Sequence, residues 1–181
     1  LAVALAKKGE KVGLLDADIY GPSIPNLMGI EGQKPALADT KKLIPIMAHG
    51  VGVMSIGLMV AQDAPMIWRG PMVQSAIYQL LRDVDWDAFD TLIIDMPPGT
   101  GDAQLTLAQK IDVTGAIIVS TSQDLALLDA RKAIEMFKKT DVPVMGIIEN
   151  MSVHVCTNCG HEDHIFGRDK VRAEADLRTI P

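Results

Sequence analysis

Short, continuous hydrophobic runs alternate along this chain with longer segments whose hydrophobic residues repeat at helical spacing. Runs of this kind are typical of strands that are buried on both faces, and the longer segments predict amphipathic helices. The predicted strands are Lys11–Asp16, Val51–Ile56, Thr91–Ile94, Gly115–Ser120 and Val142–Ile148, with one further short strand near Leu43 and Ile44; the predicted helices are Met72–Val84, Ala103–Lys110 and Leu125–Lys139.

Strands that alternate with helices indicate an α/β fold with a doubly wound, mostly parallel sheet flanked by helices. A chain of 181 residues suits one domain with a substantial core, so we expect residues 1–181 to form a single domain. In the helix Leu125–Lys139, the spacing predicts that Leu128, Ala133, Ile134 and Phe137 face inward.

Polar side chains follow the predicted strands at the points where these end. Because parallel strands end at one edge of a sheet, these side chains could converge on one ligand. They are Asp16 and Asp18, Asp95, Gln123 and Asp124, and Glu149 and Asn150. Gly21, Pro22 and Pro25 predict that a loop follows the first pair.

The stretch Thr91–Asp102 (T-L-I-I-D-M-P-P-G-T-G-D) is the most informative of these strand ends. A predicted buried strand ends at Asp95, prolines and glycines then force a turn, and Asp102 can cap the next helix. An ordinary capped connection would explain the aspartates alone. The doubled proline and paired glycines favour a site for Mg²⁺ and a terminal phosphate instead.

The residue types suggest roles at such a site. Asp95 could hold Mg²⁺ directly or through water, and Asp18 could orient or deprotonate an attacking water. The amides after Pro98 could contact a γ-phosphate, and the amide of Asn150 could pair with a purine edge.

The glycine-rich phosphate loop G-x-x-x-x-G-K-[ST] does not occur in this sequence. The chain begins at Leu1 rather than Met, and L-A-V-A-L-A-K-K-G is typical of the end of a helix. We therefore expect that the sequence is incomplete at its N-terminus and that the phosphate loop and its strand precede Leu1. A chain that lacks this loop should not hydrolyse ATP by itself.

Composition narrows the class of protein. A net charge of −6 argues against broad electrostatic binding to nucleic acid or to an anionic membrane. No hydrophobic run reaches the roughly 18 to 20 residues of a membrane span. No basic-then-apolar leader is visible, so the cytoplasm is the expected location, with a transit peptide before Leu1 as the alternative.

The segment 154–167 carries both cysteines, in H-V-C-T-N-C-G-H-E-D-H-I-F-G. A C-x-x-C pair followed by glycine can present two thiolates to one metal, whereas zinc and iron–sulfur sites usually take four ligands. Two chains could each supply Cys156 and Cys159 to one cluster. Alternatively, His161 and His164, or His154, could complete a zinc site within one chain, the pair could be a redox dithiol, or the two thiols could remain without a ligand.

Several segments together carry a family resemblance. They are D-A-D-I-Y-G-P-S-I-P, W-R-G-P-M, D-M-P-P-G-T-G-D, S-Q-D-L-A-L-L-D-A-R-K-A, E-N-M-S and C-x-N-C-G-H-x-x-H-I-F-G. In this order they resemble the Mrp/ApbC/Nbp family of iron–sulfur cluster carrier ATPases, within the MinD/ParA group of P-loop proteins. The similarity runs from about Leu1 to Gly167.

The resemblance implies a homodimeric ATPase that uses ATP and Mg²⁺, binds a [4Fe–4S] cluster and passes it to apo iron–sulfur proteins. It implies that Asp16 and Asp18 lie in the first switch, with Asp18 positioning water, and that Asp95 is the Mg²⁺-associated acid. Gly99 matches the second switch, and Asn150 matches the adenine-contacting position. Cys156 and Cys159 match the cluster ligands that bridge two chains.

Two features depart from the family pattern. The deviant phosphate loop with two lysines is missing, and the segment after Gly167 is shorter and more charged than is usual. One alternative function is that of a positioning or partitioning ATPase of the MinD/ParA type. Such proteins use a basic surface or an amphipathic terminal helix, and neither is visible in this sequence. The other alternative is a non-hydrolytic metal-binding scaffold.

Overall fold

The computed structural model of the chain describes residues 1–59, 70–99 and 101–181. The strands are β1 (Val12–Asp16), β2 (Ile46–Ala48), β3 (Val51–Ser55), β4 (Thr91–Asp95), β5 (Ala116–Ser120), β6 (Val144–Glu149), β7 (His154–Val155) and β8 (Glu162–Asp163). The helices are α1 (Ala2–Lys7), α2 (Ile24–Leu27), α3 (Gly70–Asp83), α4 (Asp102–Lys110), α5 (Asp124–Lys139) and α6 (Lys170–Arg178), with a 3₁₀ turn at Ile56–Leu58.

The chain divides into two compact units, Leu1–Pro98 and Gly99–Pro181. The first unit contains a four-stranded sheet in the order β2-β3-β1-β4. β1 pairs in parallel with both β3 and β4, and β2 joins β3 as an antiparallel edge strand. The second unit contains the parallel pair β5–β6 and the antiparallel hairpin β7–β8. The predicted α/β class with mostly parallel strands is confirmed.

The core of the first unit lies on the strands that the sequence predicts best. Every residue of β1 and of β3 is buried, and Val12, Leu14, Val51 and Val53 pack with residues of the flanking segments. Two aromatic rings cover the glycines of these strands: the ring of Trp86 lies against Gly13 and the ring of Phe89 against Gly52. A strand glycine without a Cβ allows this close approach.

β4 differs from its prediction. The run Thr91–Ile94 forms the expected parallel strand, but its residues are only half-buried. Among the described strands, β4 pairs only with β1, so its hydrophobic residues have a hydrogen-bonded neighbour on one side. The prediction of a fully buried strand was therefore wrong.

Four smaller predictions also need correction. α4 begins at Asp102 with Gly101 as its N-cap, so Asp102 is the first helical residue rather than the cap. Leu128 is 46% exposed, whereas the neighbouring Leu127 is buried. Leu43 makes only isolated bridges, and the short strand lies at β2 instead. The segment predicted as a loop after Asp18 contains the one-turn helix α2, with Pro25 in its first turn.

The last helix of the second unit is held by a network of charged groups. Glu174 is buried and accepts hydrogen bonds from Arg131 of α5, at 2.8 Å, and from Arg178 of α6, at 2.6 Å. Arg178 also donates to Glu135 of α5. α6 is therefore fixed to α5 through one buried carboxylate. No helix in the described part of the chain has the length and hydrophobicity that a membrane span requires.

Candidate functional site

The ends of β1, β3 and β4 bring three polar side chains of the first unit together. Asp16 of β1 is in register with Ser55 of β3 on one side and with Asp95 of β4 on the other. The pairing continues for one more residue, because the N–H of Ala17 donates to the carbonyl of Asp95. The predicted meeting of Asp16 and Asp95 at one sheet edge thus follows directly from the parallel register.

Asp16 is buried, and both of its carboxylate oxygens accept hydrogen bonds. Oδ1 accepts from the N–H of Asp18 at 3.1 Å, and Oδ2 accepts from the Ser55 hydroxyl at 2.9 Å and from the N–H of Ile24 at 3.4 Å. Burial raises the pKa of Asp16, these three donors lower it in part, and Asp95 raises it further. The carboxylate fixes the start and the end of the loop between β1 and α2.

Asp18 lies within that loop, and its side chain is only partly buried. Its Oδ1 accepts from the N–H groups of Tyr20 and Gly21, each at 3.2 Å. A carboxylate that binds N–H groups two and three residues ahead stabilises a tight turn. The other oxygen, Oδ2, lies 3.7 Å from the position that a Cβ on Gly21 would occupy.

Asp95 has an exposed side chain at the end of β4. The protein groups around its carboxyl raise its pKa by partial desolvation, and the negative charge of Asp18 raises it further. Asp95 and Asp18 are therefore close enough to repel one another. After Pro97 and Pro98 the chain turns at Gly99, whose φ of +95° lies in the left-handed region that glycine tolerates. Gly99 is the first residue of the second unit.

Sequence reasoning missed Ser55. Its side chain is fully buried, and its hydroxyl both donates to Asp16 and accepts from the N–H of Gly57 at 3.1 Å. A serine at the end of a hydrophobic run reads as an ordinary polar strand end, so only the β1–β3 register reveals this contact. Of the motif W-R-G-P-M, Trp68 and Arg69 lie outside the described residues, as does Thr100 of the Pro-Pro-Gly turn, whereas Gly70 to Met72 begin α3.

In the second unit, the ends of β5 and β6 are joined by two contacts. The N–H of Asn150 donates to the carbonyl of Ser120 at 2.8 Å, and the buried Ser122 hydroxyl donates to a carboxylate oxygen of Glu149. The side-chain oxygen of Asn150 accepts from the N–H of Met151. The ends of β5 and β6 therefore lie next to each other within this unit, and the contacts pass through Ser120 and Ser122.

The two cysteines lie in the turn between β7 and β8. The N–H of Cys156 donates to the carbonyl of His161, and the carbonyl of Cys156 accepts from the N–H of Gly160, both at 2.9 Å. Gly160 has a φ of +72°, which closes the turn. Both the N–H and the carbonyl of Cys156 are therefore hydrogen-bonded within the turn.

The two thiols lie close to each other. The N–H groups of Cys159 and Asn158, followed by the thiol of Cys159, lower the pKa of the Cys156 thiol. Cys156 is half-buried and Cys159 is exposed, and both are free thiols. This arrangement can present two sulfur ligands to one metal ion or cluster.

Neither the aspartates of the first unit nor the cysteine pair of the second unit gains a further ligand among the described residues. Within residues 1–59, 70–99 and 101–181, no three His, Cys, Asp or Glu side chains are grouped closely enough to hold a metal ion. Neither His154, His161 nor His164 therefore joins the cysteine pair as a third ligand in this conformation, so the single-chain zinc site gains no support.

The sequence matches one protein family over its whole length and is similar to curated proteins of that kind. The family model described as ParA, NUBPL iron-transfer P-loop NTPase, matches residues 1–181. The chain is 59% identical over 167 residues to the iron–sulfur cluster carrier protein of Escherichia coli, covering 92% of this chain and 45% of that protein. It is 52% identical over 180 residues to the mouse iron–sulfur cluster transfer protein NUBPL, covering 99% of this chain and 56% of that protein.

Solved structures give the same result for the fold. A nucleotide-binding protein from Archaeoglobus fulgidus, in complex with ADP, matches with a TM-score of 0.84 and 42% identity, covering 99% of this chain and 70% of that one. The cell-division ATPase MinD of Pyrococcus furiosus, at 19% identity, has a TM-score of 0.61, covers 99% of this chain and 71% of that one, and shows the fold alone. The chain spans about half the length of the curated relatives it matches.

Proposed function

Because this chain belongs to the ParA/NUBPL family of iron-transfer P-loop NTPases, we propose that it is part of an ATP-dependent iron–sulfur cluster carrier. In this proposal, two copies hold one [4Fe–4S] cluster between them and transfer it to apo iron–sulfur proteins. The cluster is the cargo of the protein rather than its resident cofactor. The similar proteins named as iron–sulfur cluster carrier and transfer proteins support this function.

The observation that carries the proposal is the turn Cys156–Gly160. Its backbone hydrogen bonds fix Cys156, and N–H groups directed at the Cys156 sulfur favour the thiolate that binds iron. One chain offers two thiolates, and a [4Fe–4S] cluster usually takes four, so a second copy related by a two-fold axis would complete the set. The redox-dithiol alternative would leave the family membership unexplained.

Asp16, Asp18 and Asp95 of the first unit form the proposed nucleotide-binding site. Asp18 would position the attacking water, because the turn after it orients its carboxylate while its side chain remains partly accessible. Asp95, exposed at the end of β4, would contact Mg²⁺ directly or through water. Mg²⁺ would neutralise charge that develops on the phosphates of ATP.

Asp16 would act differently from these two residues. Both of its oxygens are already bound by groups of the protein, so its contribution would be to hold the loop that carries Asp18. Gly99 would give the second switch its turn. Asn150, whose backbone is fixed to Ser120, would contact the adenine base.

The net charge of −6 speaks against nucleic acid or an anionic membrane as a broad electrostatic partner. We propose a homodimer, because one chain supplies only two of the four thiolates that a [4Fe–4S] cluster usually takes. Apo iron–sulfur proteins are its proposed partners, and the cytoplasm is its proposed location.

Anaerobic reconstitution of the full-length protein with iron and sulfide tests the function. We expect a brown protein with a charge-transfer absorption band and one [4Fe–4S] cluster per two chains. Cys156→Ser should abolish the band, whereas Thr157→Ala, at an exposed position of the same turn, should retain it. Stable binding of one zinc ion per chain without uptake of iron would contradict the proposal.

ATP hydrolysis by the reconstituted full-length protein tests the nucleotide side. Asp18→Asn and Asp95→Ala should each lower the turnover number without removing the cluster absorption. If both variants hydrolyse ATP at the rate of the unmodified protein, the assigned roles are wrong.

A further inference from the structure

We propose that His164 is a positioning residue for the cysteine pair: its Nδ1–H group holds the hairpin β7–β8 closed at its base, and Nε2 takes no part in binding the cargo. This inference rests on the proposed function, because it concerns the geometry of the cargo site.

The hairpin that carries the cysteines has little to hold it in shape. β7 and β8 contain two residues each, and all four of them are exposed. An isolated two-stranded hairpin is marginally stable in water even when it is longer than this. Other contacts must therefore keep the turn Cys156–Gly160 in the conformation that brings both sulfur atoms together.

His164 supplies such a contact. Its Nδ1 lies 2.6 Å from the carbonyl oxygen of Ser152. A carbonyl can only accept, so Nδ1 carries the proton and donates. Ser152 precedes β7 and His164 follows β8, so this hydrogen bond joins the two ends of the hairpin.

Ser152 and His164, which form this hydrogen bond, are also less exposed than their neighbours in the chain. From Met151 to Ile165 the side chains are exposed, apart from three that are half-buried: Ser152, Cys156 and His164. The hydrogen bond is therefore partly shielded from water, and water competes with it less than at a fully exposed position. The position of Cys156 depends on the hairpin that this bond closes.

The closed base is attached to the rest of the second unit on both sides. The carbonyl of His164 accepts from the N–H of Gly167 at 3.0 Å, and Gly167 packs against Ser122 after β5. On the other side, Asn150 is bound to the carbonyl of Ser120. His164 thus connects the cysteine hairpin to the segment that carries the proposed adenine contact.

The tautomer also separates two roles for this histidine. A histidine that donates from Nδ1 to a backbone carbonyl leaves Nε2 as the only nitrogen that could bind a metal. Among the residues whose positions the structure gives, however, no third His, Cys, Asp or Glu is grouped with the cysteines. The geometry thus assigns a function to Nδ1 and gives none to Nε2.

Two substitutions distinguish the nitrogens. Asparagine places an amide N–H₂ near the position of Nδ1, whereas glutamine places it near that of Nε2. In the reconstituted full-length protein we measure the rate at which an iron chelator removes the cluster. We expect His164→Ala and His164→Gln to lose it about tenfold faster, which corresponds to one lost hydrogen bond, and His164→Asn to stay within about twofold of the unmodified protein. Glu162→Gln, an exposed neighbour in β8, is the matched control and should change nothing.

Hydrogen exchange of the cluster-free protein gives a second, independent measurement. The amides of Cys156 and Gly160 should exchange faster in His164→Ala than in His164→Asn. Equal cluster lifetimes in the unmodified protein and His164→Ala would overturn the inference, and so would retention in His164→Gln with loss in His164→Asn. If the unmodified protein takes up no cluster, the proposed function fails, and the exchange rates alone then decide whether His164 holds the hairpin.

Discussion

The hydroxyl of Ser55 donates a 2.9 Å hydrogen bond to Asp16 across the β1–β3 pairing, and neither side chain has appreciable access to water. The same hydroxyl accepts from the N–H of Gly57. Ser55 therefore connects the carboxylate of β1 to the turn that follows β3. A residue that no sequence motif singles out is thus one of the main partners of the acidic site.

Replacing Ser55 should weaken both the fold and the proposed nucleotide site. Ser55→Ala removes one of the three donors to a buried carboxylate and leaves the N–H of Gly57 without its acceptor. We expect a loss of about 1–3 kcal/mol in the free energy of unfolding, measured with denaturant, and weaker binding of an ATP analogue by the full-length protein. Thr40→Ala, in an exposed turn, serves as the control and should stay within about 0.5 kcal/mol. An unchanged unfolding free energy in Ser55→Ala would show that the hydrogen bond contributes nothing.

Asp16 should make stability depend on pH in an unusual direction for an aspartate. Burial raises its pKa in the folded chain, so folding favours its protonated form. Its contribution to stability is present below the unfolded pKa and is lost as the pH rises through the folded pKa. In Mg²⁺-free buffer, Asp16→Asn should therefore gain stability relative to the unmodified protein as the pH is raised through the acid range. Thermal unfolding at a series of pH values measures this, and a constant difference between the two proteins would contradict it.

Glu174 should show the opposite dependence. The hydrogen bonds from Arg131 and then Arg178 lower its pKa, so its contribution is present above the unfolded pKa and is lost as the pH falls through the folded pKa. Glu174→Gln should cost about 1.5–3 kcal/mol at neutral pH and less in acid, as measured by denaturant unfolding. Asp129→Asn breaks an exposed ion pair with Lys132 on the same helix and should cost less than about 0.5 kcal/mol. Equal costs for both variants would argue against a special role for the buried carboxylate.

The contact between Gly52 and the Phe89 ring should tolerate no added methyl group. A Cβ on Gly52 would overlap the ring, which also packs edge-to-face with Trp86 at 6.1 Å between centroids. Gly52→Ala should cost about 1–3 kcal/mol in unfolding free energy because the ring must move. The double variant Gly52→Ala/Phe89→Leu should recover part of that loss, because leucine is smaller than phenylalanine. If the double variant is as unstable as the sum of the single variants, steric overlap is not the cause.

Sequence reasoning succeeded where one local pattern determines the structure. A hydrophobic run followed by an aspartate placed Asp16 and Asp95 at strand ends, and the parallel register then brought them together. It failed where burial depends on neighbours. The helical spacing predicts that Leu128 faces inward, whereas Leu127 is the buried residue. Successive helical residues lie about 100° apart, so both can border the inward face, and the neighbouring elements determine which one is buried. β4 was expected to be buried on both sides, yet the number of strands beside it cannot be read from its own sequence.

The contacts of the candidate site were the least predictable part. Ser55 and His164 act through hydrogen bonds to residues 39 and 12 positions away. Neither bond leaves a periodic signal in the sequence. The C-x-x-C spacing predicted the proximity of the two thiols, because a turn of this length determines it locally. It could not predict that Ser152 and His164 close the base of the hairpin.

The in-register alignment of Ser55, Asp16 and Asp95 on three adjacent strands has a consequence for folding. A one-residue slip of β1 between its neighbours would place Leu15 or Ala17 opposite Ser55 and Asp95, and would turn the Asp16 carboxylate toward the other face of the sheet. A misregistered chain could still bury most of its aliphatic side chains, but it could not assemble the acidic cluster. The contact of Asp16 with Ser55 and Asp95 therefore forms only when β1 pairs with both neighbours in the native register.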